Sequence, residues 1–460
     1  MQSQDVIRAV LAERRNRRQV NKILHGFPSP RFWKPPSPQQ RDAYVSFIKE
    51  WSSDAEEVDF YVGVPYCPKT NPRKCGYCLF PVEVFNGSNQ LDAYLDLLFA
   101  EGQLQPELKL MRPTSVFIGG GTPNLLKVGQ MNRLFSILDS VCPAWRKAQL
   151  LTFEGLPALF TREKLACLAD NGIHRISMGV QQLDDELCAL SGRRQRVSEV
   201  LQVLQWCEEI GLNCNVDLIF GWPRQTIPSM ISGLRRLADE TSVDHITHYE
   251  LNVGGSSEFA LNLRHDLPDA KLTRDMYLEG RRFLLSRGFR QDTSYDFARS
   301  DQSNPTPHDY RECWSKFERR LIRGLGFAAI SDITSNSMNS GWTVRNQSIL
   351  GDYESSVVAS EVPLELVYFR KKVDVQLSFL FREVQSLRLS DADFRKAFGE
   401  SIHRRFGVEL KVLAEAEMIK LSGDQIELTE SGSYHVPLIQ EILAYERQNE
   451  LVANRICRMK

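Results

Sequence analysis

From about residue 58 to residue 290 the chain alternates short apolar runs with longer amphipathic ones. The apolar runs predict strands at residues 60–64, 115–118, 150–153, 175–179, 215–219 and 245–251. Between them, apolar positions at helical spacing predict helices over 90–110, 128–141, 161–171, 184–190, 197–209 and 227–240. Strands separated by helices of this length are joined by βα crossovers. The expected fold is therefore α/β, a parallel sheet closed or nearly closed into a barrel, with chemistry at the C-terminal strand ends.

The flanks read differently. Residues 1–26 predict a basic amphipathic helix with Val6, Ile7, Val10, Leu11, Val20, Ile23 and Leu24 on its apolar side. Five prolines in residues 27–40 end that helix and suggest an extended arm laid over the next domain. The cluster Arg14, Arg15, Arg17 and Arg18 suits either a phosphate or a solvated helix face. Near the other end, helices are expected at 389–398, 402–406 and 410–418. Two short strands, 419–422 and 426–429, follow around a Gly423–Asp424 turn, then a helix reaching 443. Helices followed by a hairpin resemble a winged helix. Its mixed charge favours a packing module or substrate lid over a nucleic-acid reader. The expected division is an N-terminal helix and arm at 1–57, a barrel at 58–300, a barrel-closing segment at 301–364 and the winged-helix-like part at 365–460.

Composition narrows the function classes. A length of 460 residues suggests two or three domains. Hydrophobic content of 42% with 25% charged residues describes a globular chain with a full core. A formal net charge of −1 gives no general pull toward nucleic acid or an anionic membrane. No run approaches the roughly 20 apolar residues of a membrane span, and the first residues lack the apolar core of a secretory signal, so a cytoplasmic location is expected. In that setting the ten cysteines should be mostly reduced.

Three of those cysteines stand apart. The first predicted strand ends at Pro65 and opens into YCPKTNPRKCGYC, which carries Cys67, Cys75 and Cys78. Three thiolates can hold three irons of a [4Fe–4S] cube and leave the fourth iron free to bind a substrate or cofactor. A structural zinc site, a disulfide with a spare thiol and unrelated core cysteines remain open on these residues alone. Zinc usually takes four protein ligands, and neither Cys nor His follows within the next dozen residues. The later strands also end in useful groups: Gly119, Gly120, Gly121 and Thr122 after the second, Glu154 after the third, Gln181 after the fourth and Asp217 on the fifth. Consecutive glycines serve a close backbone approach or a plain tight turn.

The stretches YVGVPYC, CGYC, FIGGGTP, TFEGLP, RISMGVQQLDDELCALSGR, NVDLIFGWPRQT and HITHYELNV together resemble the radical S-adenosylmethionine (SAM) enzymes. Within these, the resemblance is to the group of oxygen-independent coproporphyrinogen III oxidase and its HemW-, HutW- and methyltransferase-like relatives. It implies a partial (β/α)6 barrel in which Cys67, Cys75 and Cys78 hold a [4Fe–4S] cluster and SAM chelates the open iron. It further implies that Gly120, Gly121 and Thr122 meet the SAM amino group. Glu154, Gln181, Arg193 and Asp217 would contact SAM, Ile219 and Phe220 would lie against its adenine, Tyr77 would shield the cluster, and Tyr61, near the cofactors, would be the candidate catalytic residue. One-electron reduction would split SAM to a 5′-deoxyadenosyl radical, so an external donor such as flavodoxin or ferredoxin is expected. The implied substrate is a small molecule, either a tetrapyrrole for an oxidase or heme-modifying enzyme, or another metabolite for a methyltransferase or cyclopropanase that uses a second SAM. A heme chaperone without turnover is the remaining alternative. Two features depart from the group's pattern. Seven residues separate the first two cysteines where three are usual, and the HDYRECW stretch keeps only His308 and Trp314 of a heme-linked segment.

Overall fold

The computed structural model describes residues 3–19, 26–52, 57–71, 74–299, 322–335 and 337–457. Six parallel strands form the centre: β1 (Glu57–Val64), β2 (Arg112–Gly120), β3 (Leu150–Gly155), β4 (Arg175–Gln181), β5 (Asn213–Phe220) and β6 (His245–Glu250). They pair in chain order, as crossovers of one hand produce. Ahead of them run α1 (Ser3–Arg14) and α2 (Pro38–Ser52). The crossovers carry α3 (Ser88–Gln103), α4 (Val128–Val141), α5 (Arg162–Asp170), α6 (Val197–Ile210) and α7 (Ile227–Glu240). All six expected strands are present, because strands covered on both faces are written as continuous apolar runs.

The sheet continues past both ends of this set. The strands β7 (Phe289–Gln291) and β8 (Asp296–Arg299) add antiparallel to β6. On the other side β9 (Ile322–Gly326) lies parallel to β1, followed by antiparallel β10 (Ile330–Thr334), β11 (Ser340–Asn346) and β12 (Leu364–Lys371). The order β12-β11-β10-β9-β1-β2-β3-β4-β5-β6-β8-β7 leaves β12 and β7 at opposite edges. Residues 322–371 thus extend the sheet beyond β1.

Three local expectations are corrected. The first helix stops at Arg14; residues 15–19 leave it in turns because Arg18 reaches Glu250 Oε1 at 3.1 Å and Gly221 O at 3.0 Å. Val20, Ile23 and Leu24 lie outside the described residues. The last proline of the arm opens a helix: Gln40 N–H donates to Ser37 Oγ at 3.3 Å and Ser37 N–H to Gln40 Oε1 at 3.0 Å, a capping box with Pro38 at the first position of α2. Finally, α3 ends at Gln103, since Pro106 cannot continue it. The arm itself pairs through Lys34 with Val367 on β12.

After α8 (Ala270–Ser286) and α9 (Leu350–Val358), the chain builds a second core. It contains α10 (Lys372–Gln385), β13 (Arg388–Ser390), α11 (Asp391–Phe398), α12 (Gly407–Glu415), β14 (Ile419–Ser422), β15 (Gln425–Leu428), α13 (Val436–Leu443) and α14 (Tyr445–Cys457). The three strands pair as β13-β15-β14. Phe379, Phe394, Leu410 and Ile439 fill this core together with Ile7 and Leu11 of α1. The chain's two ends therefore share one hydrophobic cluster. No helix among the described residues is long and apolar enough to cross a membrane. The HDYRECW stretch falls outside the described residues.

Candidate active site

The cysteine loop is closed at its base. Tyr66–Cys67 pairs with Glu83–Val84, with Glu83 N–H donating to Pro65 O and Phe85 N–H to Cys67 O, each at 2.8 Å. Residues 68–82 must therefore leave and return to one place, which carries Cys75 and Cys78 back toward Cys67. A turn brings Cys78 N–H to Cys75 O at 2.8 Å. Gly76 is pinned on both sides, its N–H to Ser191 O at 3.0 Å and its O by Phe259 N–H at 2.9 Å. A Cβ on Gly76 would stand 2.5 Å from the Phe259 ring, so only glycine docks here.

The glycine run after β2 serves that loop. A Cβ on Gly120 would stand 2.6 Å from Val64 O, and one on Gly121 would stand 2.4 Å from Tyr66 O. Gly121 N–H donates to Val64 O at 2.7 Å. The close approach that the glycines permit is thus between the ends of β1 and β2. It lets Thr122 Oγ1 donate to Cys67 Sγ at 3.4 Å. Burial pushes the Cys67 thiol up to about 11, with the Thr122 hydrogen bond acting in the opposite direction. Loading the site with metal would release that proton.

The three thiols share a cavity of about 600 Å³ with groups from the neighbouring strand ends. Tyr61, Tyr77, Gly120, Gly121, Thr122, Glu154, Gln181 and Arg193 all line it. Arg193 Nε lies 3.3 Å from Cys75 Sγ, and its guanidinium sits over the Tyr77 ring at 5.9 Å. Gly120 N–H donates to Glu154 Oε2 at 3.2 Å. Burial, then the like charge of Asp217, raises the Glu154 carboxyl to about 8. Gln181 holds φ 70° at a β-bulge against β5, a strained conformation for a non-glycine residue and typical of functional sites.

Residues 65–236 match the Radical SAM superfamily. The chain carries a radical SAM domain. Among its relatives is the radical S-adenosyl methionine domain-containing protein 1, mitochondrial, of Bos taurus, 30% identical over 272 residues. That alignment covers 56% of this chain and 58% of the bovine protein, under two thirds of its length. The heme chaperone HemW of Bacillus subtilis is 26% identical over 386 residues, which are 81% of this chain and 95% of that one. The structure of coproporphyrinogen III oxidase (HemN) from Escherichia coli matches with a TM-score of 0.77 over 91% of this chain and 96% of that one, at 22% identity. This last likeness establishes the shared fold.

A radical SAM domain implies a [4Fe–4S] cluster and SAM, and the donor set suits both. Among the described residues, no three His, Cys, Asp or Glu side chains gather tightly enough for a single metal ion. The thiols instead face one cavity, as a cluster that takes one sulfur at each of three corners requires. The cavity adds a guanidinium for a carboxylate and acceptors for ammonium and hydroxyl groups.

Three other residues sit away from this lining. Asp217 lies on the interior face of β5, where Asn215 Nδ2 donates to its Oδ1 at 2.8 Å and burial raises its carboxyl to about 6. Ile219 follows on the same face, buried with Trp222, Leu251 and Phe259, and Tyr77 packs on that group 5.2 Å from Trp222. Phe220 points the opposite way, 4.9 Å from His248, into a cluster with Met276 and Tyr277. It cannot meet a ligand in the cavity, because successive strand residues face opposite sides of the sheet. Sequence reasoning had passed over Tyr249 and Phe117. Tyr249 lines the cavity and donates to Gln181 Oε1 at 3.1 Å; Phe117 stacks on Tyr61 with centroids 6.2 Å apart. Strand alternation from His245 and Thr247 to Tyr249 was the available signal.

Proposed function

We propose that this HemN/HemW-like protein is a radical SAM enzyme acting on a tetrapyrrole, as an oxidase or a heme-modifying enzyme. One observation carries the reading: three thiols from a single loop share a cavity with Glu154, Gln181 and Arg193 from successive strand-end segments. Cys67, Cys75 and Cys78 hold the cluster, while Arg193 pairs with the SAM carboxylate. Gly120, Gly121, Thr122, Glu154 and Gln181 supply backbone and side-chain partners for the amino acid part of SAM. Asp217 accepts from its ribose and Ile219 lies toward its adenine. When bound, the cluster and SAM supply one-electron cleavage to a carbon radical that abstracts substrate hydrogen. Tyr77, packed against Trp222 and Phe259, keeps water from the cysteine loop. Tyr61 and Phe117 offer a stacked aromatic wall to a planar substrate. The reductant is an external one-electron donor.

The test is anaerobic reconstitution with iron and sulfide, then reduction in the presence of SAM and a panel of tetrapyrroles. The expected result is iron-dependent visible absorbance, 5′-deoxyadenosine, and either released carbon dioxide or a modified macrocycle. Protein that takes up no iron, or makes no 5′-deoxyadenosine, refutes the reading. A second reading, heme delivery without turnover, is favoured by relatives named heme chaperone HemW that extend over most of this chain. Stoichiometric hemin binding without 5′-deoxyadenosine would select it.

A further inference from the structure

The assignments above leave one feature unused, the seven residues PKTNPRK between Cys67 and Cys75. From Cys67 to Val82 the chain carries Lys69, Arg73 and Lys74 and no acidic residue, against a whole-chain net charge of −1. Lys69 and Lys74 are exposed at the cavity rim. Lys74 Nζ donates to Phe80 O at 3.1 Å, and no carboxylate among the described residues pairs with either lysine. Around this loop lie apolar side chains where a polar surface would be ordinary. Leu79, 42% exposed, and Phe80, 41%, directly follow Cys78. Leu261, 65% exposed, stands on the one-turn helix Glu258–Asn262, which Phe259 N–H ties to Gly76 O. The patch is therefore built on the cysteine loop itself.

We infer that this basic, apolar patch is the docking surface for a small acidic one-electron carrier protein of the flavodoxin or ferredoxin class. The inference rests on the radical SAM reading above. Electron transfer falls steeply with distance, so a donor must come close to the sulfurs, and the segments on either side of Cys75 and Cys78 are the surface nearest to them in the chain. Exposed apolar residues beside exposed lysines give the usual anatomy of a weak, transient contact, which need cover less than about 1,200 Å². The lysines steer an acidic partner that the nearly neutral chain as a whole would not attract. One electron passes: the carrier is oxidised by one electron and the cluster reduced by one, with no bond made or broken and no proton required.

The test compares reconstituted full-length protein with the Lys69→Glu/Lys74→Glu double variant and with Leu79→Ser. Binding of oxidised flavodoxin is measured by biolayer interferometry, and cluster bleaching is followed by stopped flow with either flavodoxin hydroquinone or dithionite, over a range of salt. Charge reversal should weaken flavodoxin binding and slow its reduction of the cluster by tenfold or more. It should also flatten the salt dependence, while dithionite reduction and iron content stay within twofold. Leu79→Ser should weaken binding severalfold without changing the salt slope. Unchanged flavodoxin kinetics would overturn the inference. So would equal slowing with both reductants, which would assign the lysines to the cluster itself, or intact carrier kinetics with a raised substrate KM, which would assign them to the substrate. Failure of the wild-type protein to assemble a cluster is a separate outcome: it removes the radical SAM reading, and the docking surface with it.

Discussion

Two sets of buried polar groups lie along the same parallel strands, and they are built on opposite rules. The lower set, Arg175, Ser177, Asn215, His245, Thr247, Thr293 and Asp296, is bonded mainly within itself. Asn215 Nδ2 donates to Ser177 Oγ at 3.0 Å, Thr247 Oγ1 to Asp296 Oδ1 at 2.8 Å, and Thr293 Oγ1 to Asp296 Oδ2 at 2.6 Å. His245 contacts Arg175 and Asn215, and burial with the nearby arginines holds it neutral, well below the usual histidine range. The upper set, at the strand ends, keeps valences open. Glu154 accepts one backbone hydrogen bond, Gln181 Nε2 makes none among the described residues, and the thiols face the cavity. A buried network paired mostly within itself holds a frame, whereas half-paired groups at a cavity are what a ligand completes.

The sharpest way to break this comparison is to remove one member of each set. Cys75→Ala should cut radical activity by at least about 100-fold and abolish the iron-dependent absorbance, while the melting temperature of the metal-free protein barely moves. A large fall in that temperature would put the thiol in the frame and merge the two sets. Thr247→Val should do the reverse. It leaves Asp296 or Asn215 short of a donor, since the one hydroxyl proton serves only one of them at a time, which costs about 2 kcal/mol in denaturant unfolding, with SAM affinity unchanged.

The sequence announced the upper set better than the frame. Each central strand contains a short apolar stretch, so its end, and the residue standing there, could be located to within a few positions. The frame is made of pairings between strands far apart in sequence, such as Arg175 with His245, and no local pattern encodes them. Gln181 was placed at its strand end, but its bulge was invisible, because register depends on how β4 meets β5. Phe220 illustrates the opposite lapse, since alternation from Asp217 and Ile219 already turned it outward. The first helix was overextended because its apolar spacing runs past Arg14, while a tertiary contact of Arg18 with the ends of β5 and β6 decides where it stops.

The upper set should also answer to pH. Glu154 ionises at about 8 in the folded protein against 4.5 for an ordinary glutamate. Between those limits the native state holds a proton that the unfolded chain has released. The group's contribution to stability is therefore whole below pH 4.5 and is lost as pH rises through 8. Asp217, raised to about 6, acts the same way over a lower window. The melting temperature of ligand-free protein should fall across pH 5 to 8, and Glu154→Gln should flatten that slope. An identical slope in the variant would place the titration elsewhere.

The smallest expected effect tests where frame and site meet. Tyr249 belongs to β6 beside the frame residue Thr247, yet its hydroxyl donates to Gln181 Oε1 in the cavity. That bond occupies the amide oxygen and leaves Nε2 as the group Gln181 offers to a ligand. Tyr249→Phe keeps the ring and removes only the hydroxyl, so the amide is free to turn. The expected loss is about 1 kcal/mol, or about fivefold in SAM affinity by calorimetry, with the melting temperature of the ligand-free protein within a degree or two. A stability loss without a change in affinity would move Tyr249 into the frame. An effect on neither would show that the bulge at Gln181, rather than this hydrogen bond, sets the direction of its amide.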